Sequence, residues 1–394
     1  MERVYNFSPG PSMLPLPVLQ KAQREMLRFG STGMSVMEMS HRSKMYLAIY
    51  EEAKSRLKDV CRIPDTHEIL FLHGGATEQF TAVPLNLSRN GKADYIDSGN
   101  FASAAAKEGA RYLDARVIAS SKADGYASIP DWDGKINADA DYLHITTNNT
   151  IFGTRYVELP DAGDVPLVAD MSSNILSEVY DISKFSVVYA GAQKNMGVAG
   201  LGVVIVNKEL LGHPSPLCPK LMNWTEQSKN DSMINTPNTY AIYIAGLCCE
   251  WLQGLGGVPA IEKINIEKAS ILYDYLEESK LFQSPVQRKY RSRMNVPFVT
   301  GDAEKDDLFV KEAAKAGLLN LKGHRVVGGM RASIYNAMPV EGVRALVEFM
   351  KAFESGQYGS CKPAILRGRG RMERRGGESF FLFRKKERSK EKPL

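Results

Sequence analysis

Tyr189-Ala-Gly-Ala-Gln-Lys-Asn-Met-Gly-Val-Ala-Gly-Leu-Gly202 sets one lysine, Lys194, in a glycine-rich turn between two apolar runs. Residues 185–190 and 201–206 each read as a short buried strand, since both are continuous apolar runs rich in β-branched side chains. A lysine at the end of such a strand is poorly solvated. Burial there disfavours its charged form and leaves the amine nucleophilic.

Working outward, 165–169 is another apolar run, and Asp170 ends it, 24 positions before Lys194. An amine able to form a Schiff base, paired with a carboxylate able to hold a protonated ring nitrogen, is what pyridoxal phosphate chemistry requires. Further strand-like runs lie at 68–73, 94–97 and 142–146. They alternate with helical patterns, as at 43–60, where Tyr46, Ile49, Ala53, Leu57 and Val60 recur at helical spacing. Residues 18–29 read as a first helix. The alternation predicts an α/β fold with a mostly parallel sheet covered by helices, whose ligands bind beyond the carboxyl ends of the strands.

After 261 the pattern changes. Helices are expected at 261–280, 303–316 and from Val340 to Phe353, with strands at 295–300 and 330–335. We therefore expect an N-terminal arm (1–17), a large domain (18–258), a smaller C-terminal α/β domain (259–358) and a basic tail (359–394). The tail has no periodic apolar face and is expected to be disordered. From Cys361 onward it carries 12 basic and 4 acidic residues, so the net charge of +5 belongs to it and the body is slightly acidic. A nucleic-acid role for the body has no support in this balance. No apolar run approaches the roughly 20 residues that span a bilayer. Five cysteines without a Cys-x-x-Cys pair suit a reducing compartment, so the expected location is cytoplasmic. No metal-ligand spacing occurs, and no metal is expected.

Other stretches fit a cofactor pocket. Leu70-Phe-Leu-His-Gly-Gly-Ala-Thr-Glu-Gln79 reads as strand, tight turn and helix start, where the free amides of Ala76 and Thr77 form an anion site. Phe101 follows Gly99-Asn100 and can stack on a planar ring. Thr150 ends another strand and offers a hydroxyl. Gln193 adjoins the lysine. His41-Arg42, His324-Arg325 and Arg331 supply cations for a substrate carrying both a phosphate and a carboxylate, and Gly328-Gly329 signals close backbone approach before Arg331. Asp170 also suits a helix N-cap. These residues alone leave open another small-substrate aminotransferase, or a phosphate-binding module without catalysis.

The chain resembles the phosphoserine aminotransferases, fold-type I enzymes of class V that use pyridoxal 5'-phosphate. The resemblance rests on Phe7-Ser-Pro-Gly-Pro11, Ser40-His-Arg-Ser-Lys44, Gln79-Phe-Thr-Ala-Val-Pro-Leu-Asn86, the Lys194 stretch, Asn235-Thr-Pro237, Arg293-Met-Asn-Val-Pro-Phe298, and Gly323-His-Arg-Val-Val-Gly-Gly-Met-Arg-Ala-Ser-Ile-Tyr-Asn-Ala-Met338. It implies a seven-stranded sheet of the fold-type I kind and transfer of an amino group from glutamate to 3-phosphohydroxypyruvate. It also implies that Lys194 holds the cofactor covalently, Asp170 pairs with the ring nitrogen, Thr150 meets the ring's 3-oxygen, and Gln193 with the Ala76 and Thr77 amides holds the phosphate. Asn235 and Thr236 would reach that phosphate from the second subunit of a homodimer. The same resemblance assigns the substrate phosphate to the partner's His41 and Arg42 with His324 and Arg325, and the α-carboxylate to Arg331. Two positions depart from the family: many members carry Trp where this chain has Phe101, and Arg where it has Thr77.

Overall fold

The computed structural model describes residues 2–360 and 366–367. Seven strands form the central sheet. In chain order they are β1 (His67–Leu72), β2 (Lys92–Asp97), β3 (Asp114–Ser120), β4 (Leu143–Thr146), β5 (Leu167–Asp170), β6 (Val187–Gly191) and β7 (Gly202–Asn207). Their spatial order is β1-β7-β6-β5-β4-β2-β3. Only β7 runs against its neighbours; the other pairings are parallel.

Strands β4, β5 and β6 are buried along their whole length. That burial explains why β5 and β6 read as apolar runs rather than alternations, while β4 also buries His144. The edge strand β3 is the one the sequence pattern did not disclose. Its Asp-Ala-Arg-Val-Ile-Ala-Ser side chains are half-buried or exposed throughout, so no apolar run marks it.

Helix α1 (Leu16–Glu25) starts earlier and stops sooner than the pattern at 18–29 predicted. Pro17 sits in its first turn, where the missing N–H costs nothing. Beyond Met26 the chain turns away, and the Phe29 amide donates instead to the Met34 carbonyl. Helix α2 (Lys44–Cys61) is capped by Ser43, whose hydroxyl accepts from the Tyr46 amide, and it buries the predicted Tyr46, Ile49, Ala53, Leu57 and Val60. Helices α3 (Ala76–Leu87) and α4 (Asn100–Gly109) follow β1 and β2. The apolar helix around Cys248 and Cys249 is α5 (Thr239–Leu255). Helix α6 (Val258–Glu278) takes part in two hydrophobic clusters: Val258 and Ile261 pack with the sheet, while Ala269 to Leu276 pack with the C-terminal elements.

Those elements are an antiparallel pair, β8 (Asn295–Phe298) with β9 (Met330–Ser333), and helices α7 (Ala303–Lys315) and α8 (Val340–Glu354). Aromatic rings centre this second cluster. Phe309 meets Phe282, Phe298, Phe349 and Phe353 with centroids 5.1–5.8 Å apart. The N-terminal arm belongs here too: Tyr5–Asn6 pairs in parallel with Leu318–Leu319. Of the basic tail, Leu366–Arg367 pairs with Glu2–Arg3; the expectation for most of 361–394 lies outside the described residues. Among the described residues no single helix is long and apolar enough to cross a membrane.

Phe309 is fully buried at the hub of the ring cluster. Phe309→Ala should cost about 3–5 kcal/mol, the usual range for emptying an aromatic site. The expected result is a clearly lower urea midpoint; an unchanged midpoint would show that the rings do not hold this region together.

Candidate active site

The carboxyl ends of β1, β4, β5 and β6 open onto a cavity of about 320 Å³. Its wall includes Ala76, Thr77, Phe101, Thr150, Asp170, Gln193 and Lys194. Residues separated by up to 118 positions in sequence thus meet because parallel strands deliver their C-terminal ends to one edge.

Asp170 is the last residue of β5 and is buried. Its Oδ1 accepts from the Ser172 hydroxyl (2.6 Å) and the Ser172 amide (2.9 Å). Oδ2 accepts no hydrogen bond from any described residue, leaving one oxygen free at the cavity. Burial raises the carboxyl's pKa, opposed by the charge of Lys194 and by the Ser172 bonds. The residues after Asp170 form turns rather than a helix, so the side chain serves the cavity edge and not a helix N-cap.

Lys194 leaves β6 three residues past its end and turns back over the cavity. Its Nζ donates to Thr150 Oγ1 (2.8 Å) and lies 5.5 Å from the centre of the Phe101 ring. Loss of water lowers its pKa from 10.5 to about 8; Asp170 opposes the shift and Arg331 adds to it. Thr150 faces both ways. Its hydroxyl receives Lys194 while its carbonyl receives Arg331 Nη1 (3.0 Å). Arg331 lies in β9, 5% exposed, and its Nε has no partner among the described residues. A planar guanidinium with an unused buried N–H suits a carboxylate fork.

The anion end forms at Gly74-Gly75. Both glycines have positive φ, +84° and +134°, which a side chain would strain. Gly75 is the N-cap of α3 and has no side chain to cap it, so the first amides of the helix stay free. Glycine is also needed opposite. A Cβ on Gly202 would meet the Gly75 backbone at 3.3 Å, and one on Gly191 would meet the Ala76 nitrogen at 3.4 Å. Glu78 lines the same end, an acid that sequence reading did not single out. Burial raises its pKa, and the charge of His73 opposes the shift.

The N-terminal arm braces the lysine loop. The Ser12 amide donates to the Gln193 carbonyl (3.0 Å), and the Ser12 hydroxyl donates to the Lys194 carbonyl. Tyr335 Oη donates to the Pro9 carbonyl (2.7 Å), tying the arm to the segment after β9. Asn195 Oδ1 accepts from the Asn336 amide (3.0 Å) on the other side of Lys194.

The other cations are placed less tightly. His324 is partly exposed, and its pKa is lowered by burial first, then by Arg331 and Arg325. Gly323, Gly328 and Gly329 let this loop fold on itself: a Cβ on Gly323 would overlap the Gly328 carbonyl, and one on Gly329 would press on the Phe298 carbonyl at 2.8 Å. Arg331, His324, Arg325, His41, Arg42, Asn235 and Thr236 are not among the residues that line the cavity. Arg42, Asn235 and Thr236 are exposed, while His41 keeps an unpartnered buried Nε2. Sequence reading missed Thr146, Asn148, Ser172 and Ser173, which also line the cavity. Small polar residues at strand ends were the available signal, but they are common in any turn. Among the described residues no group of three or more His, Cys, Asp or Glu side chains could hold a metal ion.

A pKa of about 8 for Lys194 means that its neutral, reactive form dominates above that pH. In cofactor-free protein, competitive amine labelling followed by mass spectrometry should show half-maximal reaction of Lys194 near pH 8. Surface lysines should follow the ordinary value of about 10.4. Co-titration of Lys194 with the surface lysines would contradict the desolvated placement.

The Aminotransferase class-V family model matches residues 4–346. A phosphoserine aminotransferase of Bacillus cereus is 54% identical over 356 residues, covering 90% of this chain and 99% of that protein. One from Listeria monocytogenes is 52% identical over 361 residues, covering 91% and 99%. Among solved structures, phosphoserine aminotransferase from Bacillus circulans subsp. alkalophilus superposes with a TM-score of 0.88 at 41% identity, covering 90% of this chain and 99% of that one. The pyridoxal phosphate-bound enzyme from Trichomonas vaginalis gives 0.85 at 38%, covering 89% and 100%. A lysine, a carboxylate and an anion-binding helix start around one cavity agree with these likenesses, and the chain belongs to the class-V aminotransferase family.

Proposed function

We propose that the chain is a phosphoserine aminotransferase, which moves the amino group of glutamate to 3-phosphohydroxypyruvate and yields O-phosphoserine and 2-oxoglutarate. One observation carries this reading. Lys194 and Asp170 line a cavity whose far end is a free helix N-terminus, and Thr150 on its wall joins the amine to the buried guanidinium of Arg331.

The cavity fits pyridoxal 5'-phosphate on its own terms. It has a free carboxylate oxygen on Asp170, free amides at Ala76 and Thr77, and a Phe101 ring face beside the amine. When bound, that cofactor supplies an aldehyde to receive the amino group and a ring that accepts electrons from the substrate Cα bond. Asp170 would hold the ring nitrogen, and the Ala76 and Thr77 amides with Gln193 the phosphate. Phe101 would lie against the ring face and Thr150 beside its 3-oxygen.

The chain's own groups then act as follows. Lys194 would hold the cofactor through its ε-amine and yield that place to the amine of the substrate. Its ε-amine would then remove the substrate Cα proton and deliver it to the cofactor carbon on the other side of the amino nitrogen, as general base and acid. Arg331 fixes the α-carboxylate of either substrate, which aligns the Cα–H bond with the amine. Proton shuttling by one group between two carbons separated by a single nitrogen needs little motion, and the Thr150 bond marks the direction from which Lys194 reaches in.

His324 and Arg325 would take the substrate phosphate, joined by the partner's His41 and Arg42. The exposure of Asn235 and Thr236 supports a contribution from across a homodimer interface to the cofactor phosphate of the other subunit. The same proposal divides the chain into an arm, a large cofactor-binding domain and a smaller C-terminal domain near residue 258, and it places the enzyme in the cytoplasm.

The purified holoenzyme should be coloured. Its visible absorption should fall on adding glutamate and return on adding 3-phosphohydroxypyruvate; a spectrum indifferent to both would refute the assignment. Lys194→Ala should lose turnover by several orders of magnitude while circular dichroism stays native, and normal activity in that variant would sink the mechanism. His324→Ala with Arg325→Ala should raise the KM for 3-phosphohydroxypyruvate about 10- to 100-fold, as expected for losing charge-assisted bonds to phosphate, and leave the glutamate half-reaction intact. An unchanged KM would favour an aminotransferase for a substrate without phosphate.

A further inference from the structure

Ser172 lies two residues past β5 and is buried at 6% exposure. Its hydroxyl has two neighbours. It accepts from the Gly191 amide (3.1 Å) at the end of β6, and it donates to Asp170 Oδ1 (2.6 Å). Because the Gly191 N–H can only donate, it fixes the polarity of the contact. The serine proton is left to point at the carboxylate. The Ser172 backbone amide donates to the same oxygen (2.9 Å). Oδ1 is thus held twice, and Oδ2 alone faces the cavity.

A carboxylate beside a ring nitrogen shares one proton with it. Where the proton stays depends on which of the two is more basic. Donors on the carboxylate stabilise its anion and make it the weaker base, so the proton remains on the ring. Burial pushes Asp170 the other way. Without a counterweight, desolvation would draw the proton onto the carboxylate, and a neutral ring accepts electrons less readily. The counterweight has to come from donors that water cannot supply in this buried place.

We propose that Ser172 is a positioning residue for catalysis: its hydroxyl, oriented by the Gly191 amide, keeps the proton shared by Asp170 and the cofactor on the ring nitrogen. The proposal rests on the function given above. No proton is gained or lost overall; it is only allotted between two bases. Gly191 ends the strand that leads to Lys194, so the same contact ties the carboxylate of β5 to the strand that carries the amine.

Ser172→Ala isolates the hydroxyl, because the backbone amide of residue 172 still donates to Asp170. Holoenzyme is loaded with cofactor isotope-labelled at its ring nitrogen and observed by nitrogen NMR. In wild type the resonance should report a protonated ring. In Ser172→Ala it should move toward the unprotonated position, with kcat lower on the order of tenfold, the equivalent of about one pKa unit in the balance, and KM unchanged. Ser172→Thr, which keeps the hydroxyl, should restore both. Ser172→Cys, a weaker donor of similar size, should fall between wild type and alanine, and it carries the test if the alanine variant does not fold. An unmoved ring resonance in the alanine or cysteine variant, even with a lower melting temperature or altered KM, would overturn the proposal and leave Ser172 a structural turn residue. Wild-type protein that binds no labelled cofactor would instead overturn the function on which the proposal rests.

Discussion

A buried amine and a buried carboxylate at one edge of a parallel sheet are the constraint around which this molecule is arranged. Taking either charge out of water is costly, and each tempers the cost of the other. The balance leaves Lys194 with a pKa of about 8, low enough for a useful neutral fraction. It leaves Asp170 with one oxygen saturated by Ser172 and one free. Neither state would exist on a surface, where water would solvate the ammonium and the carboxylate separately.

The remaining architecture serves that edge. Strands β4, β5 and β6 are buried along their length and end at Thr146, Asp170 and Gly191, so three chain segments deliver their turns to one place. Glycines on β6 and β7 let the Gly74-Gly75 turn approach closely, and that turn opens α3 without a side-chain cap. The N-terminal arm and the segment after β9 hold the lysine loop from two sides, through Ser12 and through Asn336. Fully buried Lys268 adds to the second brace. It donates to the carbonyls of Ile334, Tyr335 and Met338 at 2.8–3.1 Å, filling all three of its hydrogens with backbone acceptors. Burial lowers its pKa to about 7. Its role in the fold is therefore separate from that of Lys194, although burial lowers both.

Legibility in the sequence followed burial. Strands buried on both faces announced themselves as apolar runs, and α2 did so through its helical spacing. The edge strand β3 did not, because partial exposure mixes its side chains. The end of α1 was misplaced since Leu27 and Phe29 extend the apolar pattern, yet the backbone there turns to bond Met34. Within the cavity, Lys194, Asp170 and the Gly-Gly turn stood out by unusual context: a charge or a flexible residue beside an apolar run. Ser172, Thr146 and Glu78 did not, because serine, threonine and glutamate beside turns are unremarkable until their neighbours are known.

The order of residues alone determined the α/β class, the mostly parallel sheet, and the setting of a lysine and an aspartate beside apolar runs. Those features are local: they follow from how apolar runs, glycines and charges succeed one another along the chain. Only the tertiary structure decided that Thr150 joins Lys194 to Arg331, that Asp170 keeps one oxygen free, and that the arm residue Ser12 grips the lysine loop. Each of these depends on atoms from segments far apart in sequence meeting within a few ångströms, and on the loss of water that follows. No periodicity encodes such a meeting, because it is set by how the strands are ordered in space.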